Sequence, residues 1–334
     1  MVAAVAQDTD AFALPFKFDR NRLAKDVEQL QNLVRLPQPG PYHKGEWAGV
    51  AIHAAGGVQT PDSGFPSIAS YAFTPEACHA PYLKEILGSL PFVLQVVRVL
   101  WLPAGGKIGN HFDFDTNFQF GLVRLHIPMQ TNPDVEFLIA GRRIDMNVGE
   151  FWYGDFSKPH EVINRGKQDR LHAVLDVEVN DALLGIMPAD YIDTLSRLGP
   201  ISKHRAPYRK SDDLATFECS FRIPGTIVPL LKKGKLVDMI KGATAVLRRD
   251  GNDLHLYFNG TPHCTLMRVT EKEFAVVGMP PGCFFRIERS GVAPIRVTLI
   301  VRGVQEDLVA ARVGVVRGER IPEREIDFGP LLAA

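Results

Sequence analysis

The stretch from Phe92 to about Val179 most constrains the fold, because short apolar segments alternate there with turn signals. The segments that read as strands are FVLQVVRVLWL, LVRLHIPM, VEFLIA, RRIDMNV, EFWYG, HEVIN and RLHAVLDVEV. Between them lie turn sequences such as PAGG, NPD, AGR, FSKP and NRGKQD. Closely spaced strands of this kind are typical of antiparallel sheets. They predict a barrel or double-sheet roll, whose mouth can collect side chains from neighbouring strands.

Helices are predicted on both sides of this strand-rich core. In FDRNRLAKDVEQLQNLV, Leu23, Val27 and Leu30 repeat at helical spacing, and Asp19 precedes them as a candidate N-cap. A short helix is predicted around 80–89, and NDALLGIMPADYIDTLSRL after the core also predicts a helix. The fold class we expect is therefore mainly β with flanking helices (α+β).

Two domains are expected. The polar, proline-containing stretch ISKHRAPYRKSDD marks the boundary, and the chain beyond it reads as further strands, including a hairpin in LRRDGNDLHLYF. We assign residues 1–200 to the first domain and residues 205–334 to a β-rich accessory domain. The first seventeen residues read as a loose arm.

Composition excludes several classes of partner. Acidic and basic residues number 38 each, so no net charge favours nucleic acid or an anionic membrane. No apolar run reaches membrane-spanning length, and the start of the chain lacks the basic segment of a signal peptide. The four cysteines form no CxxC pair, which suits a reducing compartment. We expect a cytoplasmic protein with no nucleic-acid or membrane partner.

The pair His111 and Asp113 is a candidate metal site. Residues two apart on a strand share one face, so the imidazole and the carboxylate can reach one ion together. His160 begins a later strand, and two imidazoles with one carboxylate form the facial triad of non-haem Fe(II) oxygenases. That triad leaves positions open for a 2-oxoacid and dioxygen. A single HxD also occurs by chance, and Asp115 competes with Asp113 for the same role.

Polar residues within apolar strands are candidates for binding anions. Arg170 lies on the strand after His160, and a buried guanidinium needs an anion such as the distal carboxylate of 2-oxoglutarate. Arg124 and His126 share a strand face, so either can meet a carboxylate of co-substrate or substrate; a hydrogen-bonded core histidine is the alternative for His126. Arg98 is a further candidate for binding a carboxylate of the substrate. The alternative is that it lies at a surface position on its strand.

Several of these motifs together resemble the aspartyl/asparaginyl β-hydroxylase family, which includes bacterial proline hydroxylases. The shared features are the R-x-H strand, the G-E-x-W-Y turn, the P-H-x-V-x-N segment and the arginine ten residues after its histidine. FDRNRLAKDVEQL, GEWAGVAIHAAGG and PYLKEIL are similar to the bacterial free-proline hydroxylases in particular. The resemblance covers about residues 18–180, whereas the strands after residue 205 match nothing in the family.

The resemblance implies a double-stranded β-helix of the jelly-roll or cupin type, with Fe(II), 2-oxoglutarate and O2. It assigns iron to His111, Asp113 and His160, the 2-oxoglutarate carboxylate to Arg170, and other carboxylates to Arg124 and His126. Related halogenases replace the acidic ligand with a small residue, so Asp113 favours hydroxylation.

Two substrate classes remain open. A free amino acid such as proline needs a closed pocket, whereas a residue within a peptide, for example aspartate in a peptide natural product, needs an open groove. The extra C-terminal domain slightly favours the peptide, although it can also serve homodimerisation or cover the barrel. A non-catalytic cupin-like ligand sensor, and an isomerase or lyase with another divalent metal, are the alternatives to an oxygenase.

Overall fold

The chain divides into two compact units in the computed structural model, which describes residues 10–44, 47–62, 64–113, 116–208, 213–223, 243–258, 260–290, 293–302, 307–308 and 312–313. The units are Met1–Gly64 with Tyr71–His204, and Phe65–Ser70 with Arg205–Ala334. Residues 65–70 were expected in the first domain. They belong to the second unit because the Ser67 amide donates to the Val277 carbonyl (2.9 Å) and the Thr265 amide to the Ser67 carbonyl (2.9 Å).

The N-terminal unit contains helices and strands whose bounds follow. The helices are α1 Arg20–Leu30, α2 Pro81–Ser89, α3 Asp181–Leu184 and α4 Ala189–Leu198. The strands are β1 Ala11–Lys17, β2 Leu36–Pro37, β3 Ala48–Ala55, β4 Tyr71–Phe73, β5 Val93–Leu102, β6 Lys107–His111, β7 Leu122–Gln130, β8 Val135–Ile139, β9 Arg142–Arg143, β10 Glu150–Gly154, β11 His160–Asn164 and β12 Arg170–Glu178.

These strands form two antiparallel sheets. The larger has the order β1-β10-β7-β12-β5-β3-β2, with β4 paired to β3, and the smaller has the order β6-β11-β8-β9. From β5 to β8 each strand lies in the other sheet from the one before it, and β10 to β12 alternate in the same way. This alternation is that of a jelly roll and brings distant parts of the chain onto facing sheets.

The two faces of the larger sheet differ in polarity, as the alternation of side chains along a strand requires. On β5, Val97, Val99 and Trp101 are buried in the main apolar core, which also contains buried residues of α1 and α2. Arg98, between them in sequence, therefore points to the opposite face, toward the interior between the sheets. The polar interior is thus built from residues that alternate with core residues.

The N-terminal helices follow the predicted pattern. Asp19 caps α1, because its carboxylate accepts from the amides of Asn21 (2.8 Å) and Arg22 (3.1 Å). Leu23 and Leu30 on the apolar stripe of α1 are fully buried. The single helix predicted in NDALLGIMPADYIDTLSRL is instead two helices, α3 and α4. Pro188 separates them, since it has no amide to continue the hydrogen bonds of a helix.

The prediction of a loose arm for the first seventeen residues is wrong over the part that the structure describes. Residues 11–17 form β1, which pairs with β10 through Ala11 and Gly154, Phe12 and Tyr153, and Ala13 and Trp152. AFALPFK lacks the flanking turn signals that mark the other strands, and its proline disfavours an interior strand. The proline is tolerated because β1 lies at the edge of the larger sheet, where the amides on its outer side need no partner strand.

The C-terminal unit is strand-rich, as predicted. Its strands are β13 Cys219–Ile223, β14 Ala243–Asp250, β15 Asp253–Phe258, β16 Thr261–Arg268, β17 Glu273–Val276, β18 Cys283–Ser290, β19 Ala293–Arg302, β20 Asp307–Leu308 and β21 Arg312–Val313. From β13 to β20 each strand pairs with the next in sequence, and β21 pairs with β19. The predicted hairpin joins β14 to β15, with Gly251 in the left-handed region at its turn. Phe221, Phe274 and Phe285 are fully buried.

None of the helices in the described residues combines the length and the apolar character needed to cross a bilayer.

The packing of β1 can be tested through Leu14, which is 2% exposed in the main core. We expect Leu14→Ala to lower the free energy of unfolding by about 2–5 kcal/mol, since a buried leucine leaves a cavity. The exposed neighbour Ala13 offers the control, and Ala13→Ser should change it by less than about 0.5 kcal/mol. Equal denaturation midpoints for the two variants would show that β1 is not packed on the core.

Candidate active site

The three predicted metal ligands converge. The nearest donor atoms of His111, Asp113 and His160 all lie within 4.8 Å of one another. His111 Nδ1 lies 2.8 Å from the Gly109 carbonyl and His160 Nδ1 lies 3.0 Å from the Lys158 carbonyl. A carbonyl accepts only, so each Nδ1 carries the proton and each Nε2 presents its lone pair. The set of two imidazoles and one carboxylate suits a divalent metal such as Fe(II).

Asp113 reaches this position by a different route from the one predicted. Strand β6 ends at His111, so the rule that residues two apart share a strand face does not place Asp113. Its backbone is held instead by the Asp113 amide, which donates to the Phe156 carbonyl (2.8 Å), and by its carbonyl, which accepts from the Thr116 hydroxyl (3.0 Å). The competing candidate Asp115 lies outside the described residues.

Charge at the ligands is set by burial and by Arg124. Burial opposes ionisation of Asp113, but opposing interactions led by the charge of Arg124 outweigh it and lower the pKa of the carboxyl. Burial lowers the pKa of His160 to about 4, although Asp113 works against this shift. At neutral pH the site therefore offers an ionised carboxylate and a neutral His160 imidazole, which are the forms that bind metal.

Arg124 links the metal ligands to the larger sheet. Its Nη1 donates to the Asp113 carboxylate, while Nε and Nη2 donate to the two oxygens of Asp176 (2.7 and 3.1 Å). Asp176 lies on β12 directly opposite Arg124 on β7 and is 1% exposed. The predicted carboxylate-binding role of Arg124 is thus already met in part by two carboxylates of this chain.

A second buried cluster contains Arg170, His172 and His126. Arg170 is 2% exposed, and burial lowers the pKa of its guanidinium to about 9. Its Nη2 donates to His172 Nδ1 at 2.8 Å, and its Nε has no hydrogen-bond partner. Among the described residues no carboxylate forms an ion pair with Arg170. A buried cation without an anion is costly, so the cluster has the character of an anion site.

The protons within this cluster follow from Arg170, which can only donate. His172 Nδ1 must accept from it, so His126 Nδ1, 3.3 Å from His172 Nδ1, is the donor of that contact. Burial and the charge of Arg170 lower the pKa of both histidines well below the usual value, which keeps them neutral. The buried Nε2 of His126 is then an unpartnered acceptor, and it becomes a donor when the ring proton sits on Nε2 instead of Nδ1.

Arg98 is buried (4% exposed), so the alternative of a surface strand position is wrong. Its Nη1 donates to the Gln38 side-chain oxygen (2.7 Å) and to the Pro61 carbonyl (2.9 Å), and its Nη2 lies 3.9 Å from Asp176. Its Nε is buried without a partner, and burial lowers its pKa to about 10. Arg98 and Arg124 therefore share one internal carboxylate, Asp176.

Two residues of this region were not predicted. His172 lies two residues from Arg170 on β12, and the alternation of a strand places both on one face. Tyr42 comes from the loop between β2 and β3, and its ring stacks on His111. Nothing in the local pattern around Tyr42 points to that contact, because it depends on the packing of a loop.

Known proteins resemble this chain over its N-terminal part. Residues 18–179 match the family model described as aspartyl/asparaginyl beta-hydroxylase. Residues 18–179 are therefore similar to this family, and the matched segment contains every candidate site residue named above.

Individual relatives are more distant. The chain is 26% identical over 167 residues to the L-proline cis-4-hydroxylase of Rhizobium meliloti (strain 1021), which covers 48% of this chain and 58% of that protein. Among solved structures, a 2OG-Fe(II) oxygenase family oxidoreductase from Burkholderia pseudomallei has a TM-score of 0.38 at 15% identity, covering 51% of this chain and 85% of the other. A Pseudomonas putida prolyl-4-hydroxylase has a TM-score of 0.33 at 12% identity, covering 51% and 93%. TM-scores this low support no conclusion about function.

The missing anion of Arg170 has a measurable consequence for stability. We expect Arg170→Met to leave the melting temperature of the metal-free protein unchanged or raised, because it removes a buried cation without breaking an ion pair. Arg98→Met is the matched control. It should lower the free energy of unfolding by about 2–4 kcal/mol, since buried oxygens of Gln38 and Pro61 lose their donor.

The melting temperature and the free energy of unfolding are measured for both variants and for wild type by thermal and denaturant unfolding. A loss of stability in Arg170→Met as large as that in Arg98→Met would mean that Arg170 has a structural counter-ion.

Proposed function

We propose that this protein is an Fe(II)- and 2-oxoglutarate-dependent dioxygenase that hydroxylates an sp³ carbon of an amino-acid unit. The observation that carries the proposal is the pairing of a three-ligand metal group with a separate buried arginine that lacks an anion. The family match to residues 18–179 supports it. We further propose that the jelly-roll strands are a double-stranded β-helix, that residues 1–200 are the catalytic domain, and that 205–334 are an accessory domain.

Each part of the site has an assigned role. His111, Asp113 and His160 hold Fe(II), and they leave room for further ligands because a facial triad occupies one side of the ion. When bound, Fe(II) supplies the place where dioxygen is activated and 2-oxoglutarate is decarboxylated to succinate and carbon dioxide, with one oxygen atom passing to a C–H bond. The apolar core around Phe156 and Phe137 keeps bulk water from the co-substrate site.

Arg170 anchors the distal carboxylate of 2-oxoglutarate. Its unpartnered Nε and a fork of parallel N–H groups suit a carboxylate, which would also balance the buried charge. His126 lies in the same cluster, and its Nε2 can donate to that carboxylate if the single proton of the neutral ring sits on Nε2 instead of Nδ1. His172 orients the Arg170 guanidinium by accepting from Nη2.

Charge balance indicates that the substrate carries a carboxylate. Outside the Arg170 cluster, the buried cations Arg98 and Arg124 are balanced by the carboxylates of Asp113 and Asp176. A carboxylate committed to a divalent metal no longer fully balances a guanidinium. With metal and 2-oxoglutarate both bound, the interior retains an excess of positive charge that one more anion would neutralise. Arg98, whose Nε is unpartnered, and Arg124 are the groups we assign to that anion.

A free amino acid such as proline offers its α-carboxylate to these two arginines but also brings an ammonium charge, whereas an aspartyl residue in a peptide offers a side-chain carboxylate alone. The relative named as an L-proline cis-4-hydroxylase favours the free amino acid. Peptide-linked proline offers no carboxylate and is disfavoured, so we rank the free amino acid ahead of the peptide aspartate that the extra C-terminal domain slightly favours.

Succinate formation tests the assigned chemistry. With Fe(II), ascorbate and 2-oxoglutarate, we expect succinate from the wild type, and we expect Asp113→Ala and His160→Ala to lose it because each removes one of three metal ligands. His79→Ala, a histidine outside the metal cluster, should retain it. The proposal fails if the wild type neither binds 2-oxoglutarate in the presence of Mn(II) nor forms succinate, coupled or uncoupled.

Substrate charge can be tested with matched compounds. We expect mass spectrometry to show a one-oxygen gain for an accepted free amino acid, with proline tried first, and at least a roughly 100-fold lower kcat/KM for its carboxamide, because an unpaired buried arginine costs about 3 kcal/mol or more. Peptides with an internal aspartate form the second arm. Equal rates for acid and amide would contradict the assignment of Arg98 and Arg124 to a carboxylate.

A further inference from the structure

The loop between β2 and β3 is held in a fixed shape beside the metal ligands. The Gln38 amide donates to the Trp47 carbonyl (3.0 Å), and His43 Nε2 lies 2.9 Å from the Gln38 carbonyl. The His43 and Trp47 rings meet edge to face at 5.6 Å. These contacts close the described part of the loop, residues 38–44 and 47, on itself.

Tyr42 connects this loop to β6 at two points. Its carbonyl accepts from the Gly109 amide at 2.6 Å. Its ring lies parallel to the His111 imidazole, with centroids 4.5 Å apart and planes 18° apart. The His160 ring contacts the same imidazole, with centroids 4.2 Å apart. His111 is thus packed between an aromatic ring and a second metal ligand.

Glycine at 109 is what permits the loop to approach so closely. A Cβ at Gly109 would lie 3.3 Å from the Tyr42 carbonyl oxygen, which is tighter than ordinary contact. The carbonyl of the same glycine accepts from His111 Nδ1 at 2.8 Å. One residue therefore joins the Tyr42 backbone to the His111 side chain.

The hydrogen bond and the stacked ring constrain different motions. A single hydrogen bond at Nδ1 fixes the position of one ring atom but lets the imidazole plane tilt around it. A parallel ring in van der Waals contact limits that tilt. Tyr42 is 41% exposed, so burial of its own surface does not account for its position.

We propose that Tyr42 is a positioning residue for the metal centre, which holds the His111 imidazole plane so that Nε2 faces Asp113 and His160 before a metal binds. The inference rests on the proposed function, because it takes His111 as a metal ligand. Tyr42 acts through His111, and its effect is on metal affinity, since a ligand already oriented loses less freedom on binding.

Metal titration of the full-length protein tests this directly. Co(II) is the probe, and its d–d absorption and dissociation constant are measured for wild type, Tyr42→Ala and Tyr42→Phe. We expect Tyr42→Ala to bind Co(II) roughly tenfold more weakly, with an altered absorption band, as when other groups that orient a ligand are removed. Tyr42→Phe keeps the stacked ring and should bind as wild type does.

Phe112 provides the matched control. It lies between two of the metal ligands in sequence and is 42% exposed, much like Tyr42, and it makes no ring contact within the described residues. Phe112→Ala should leave Co(II) affinity unchanged. Circular dichroism and thermal unfolding of all variants confirm that they are folded, which is expected for exposed positions.

Each outcome decides the matter. Unchanged affinity in Tyr42→Ala, weakening in Tyr42→Phe as large as in Tyr42→Ala, or equal weakening in Phe112→Ala would each overturn the positioning role, while the proposed function would stand as long as the wild type binds metal. If the wild type binds neither Co(II) nor Fe(II), both the proposed function and the positioning role of Tyr42 are refuted.

Discussion

The register between β7 and β12 is the constraint on which the interior of the N-terminal unit depends. It places Arg124 opposite Asp176 and His126 opposite Val174, and a bulge near Leu171 sets His172 opposite Pro128. Because paired residues of an antiparallel ladder share a face, Arg124, His126, His172 and Asp176 all point between the two sheets. A slip of one residue in either strand would send the polar side chains of that strand into the apolar core on the other side, so the core enforces the geometry of the polar interior.

That interior is organised around charge that the chain only partly balances. Arg124 has two carboxylate partners, Arg98 has carbonyl and amide partners and a more distant carboxylate, and Arg170 has one neutral histidine. Compensation of the buried positive charge therefore decreases from Arg124 through Arg98 to Arg170, which has no anionic partner among the described residues. Groups of this kind lower stability in the free protein and gain stability when an anion arrives, which is the usual relation between a preformed binding site and the fold that supports it.

Much of the fold was predictable from sequence, because alternating strands, Gly and Pro turns, the Asp19 cap and the heptad-like spacing of Leu23 and Leu30 are local signals. The candidate ligands His111 and His160 came from the HxD spacing and a later strand start, and Arg170 came from its polar side chain in an apolar strand. β1 was missed because pairing with a distant strand, rather than local pattern, fixes it. Asp113 was predicted from the rule that residues two apart share a strand face. In the structure it lies after the end of β6, where a turn and an ion pair with Arg124 place it. Tyr42 and the Arg98 partners depend on loop packing, which leaves no periodic trace.

The candidate metal ligands and the proposed anion cluster come from different sheets, and this division explains the central place of Arg124. His111 and His160 pair directly across β6 and β11 of the smaller sheet, whereas Arg170, His172 and His126 belong to the larger one. A co-substrate that binds the metal at one end and Arg170 at the other must therefore span both sheets, and its fit depends on their separation. Arg124 joins them, because it lies on the larger sheet and grips Asp113, the ligand that follows β6. The turn after β6 that carries Asp113 is thus fixed by an ion pair to Arg124, which is itself paired with Asp176 in the larger sheet.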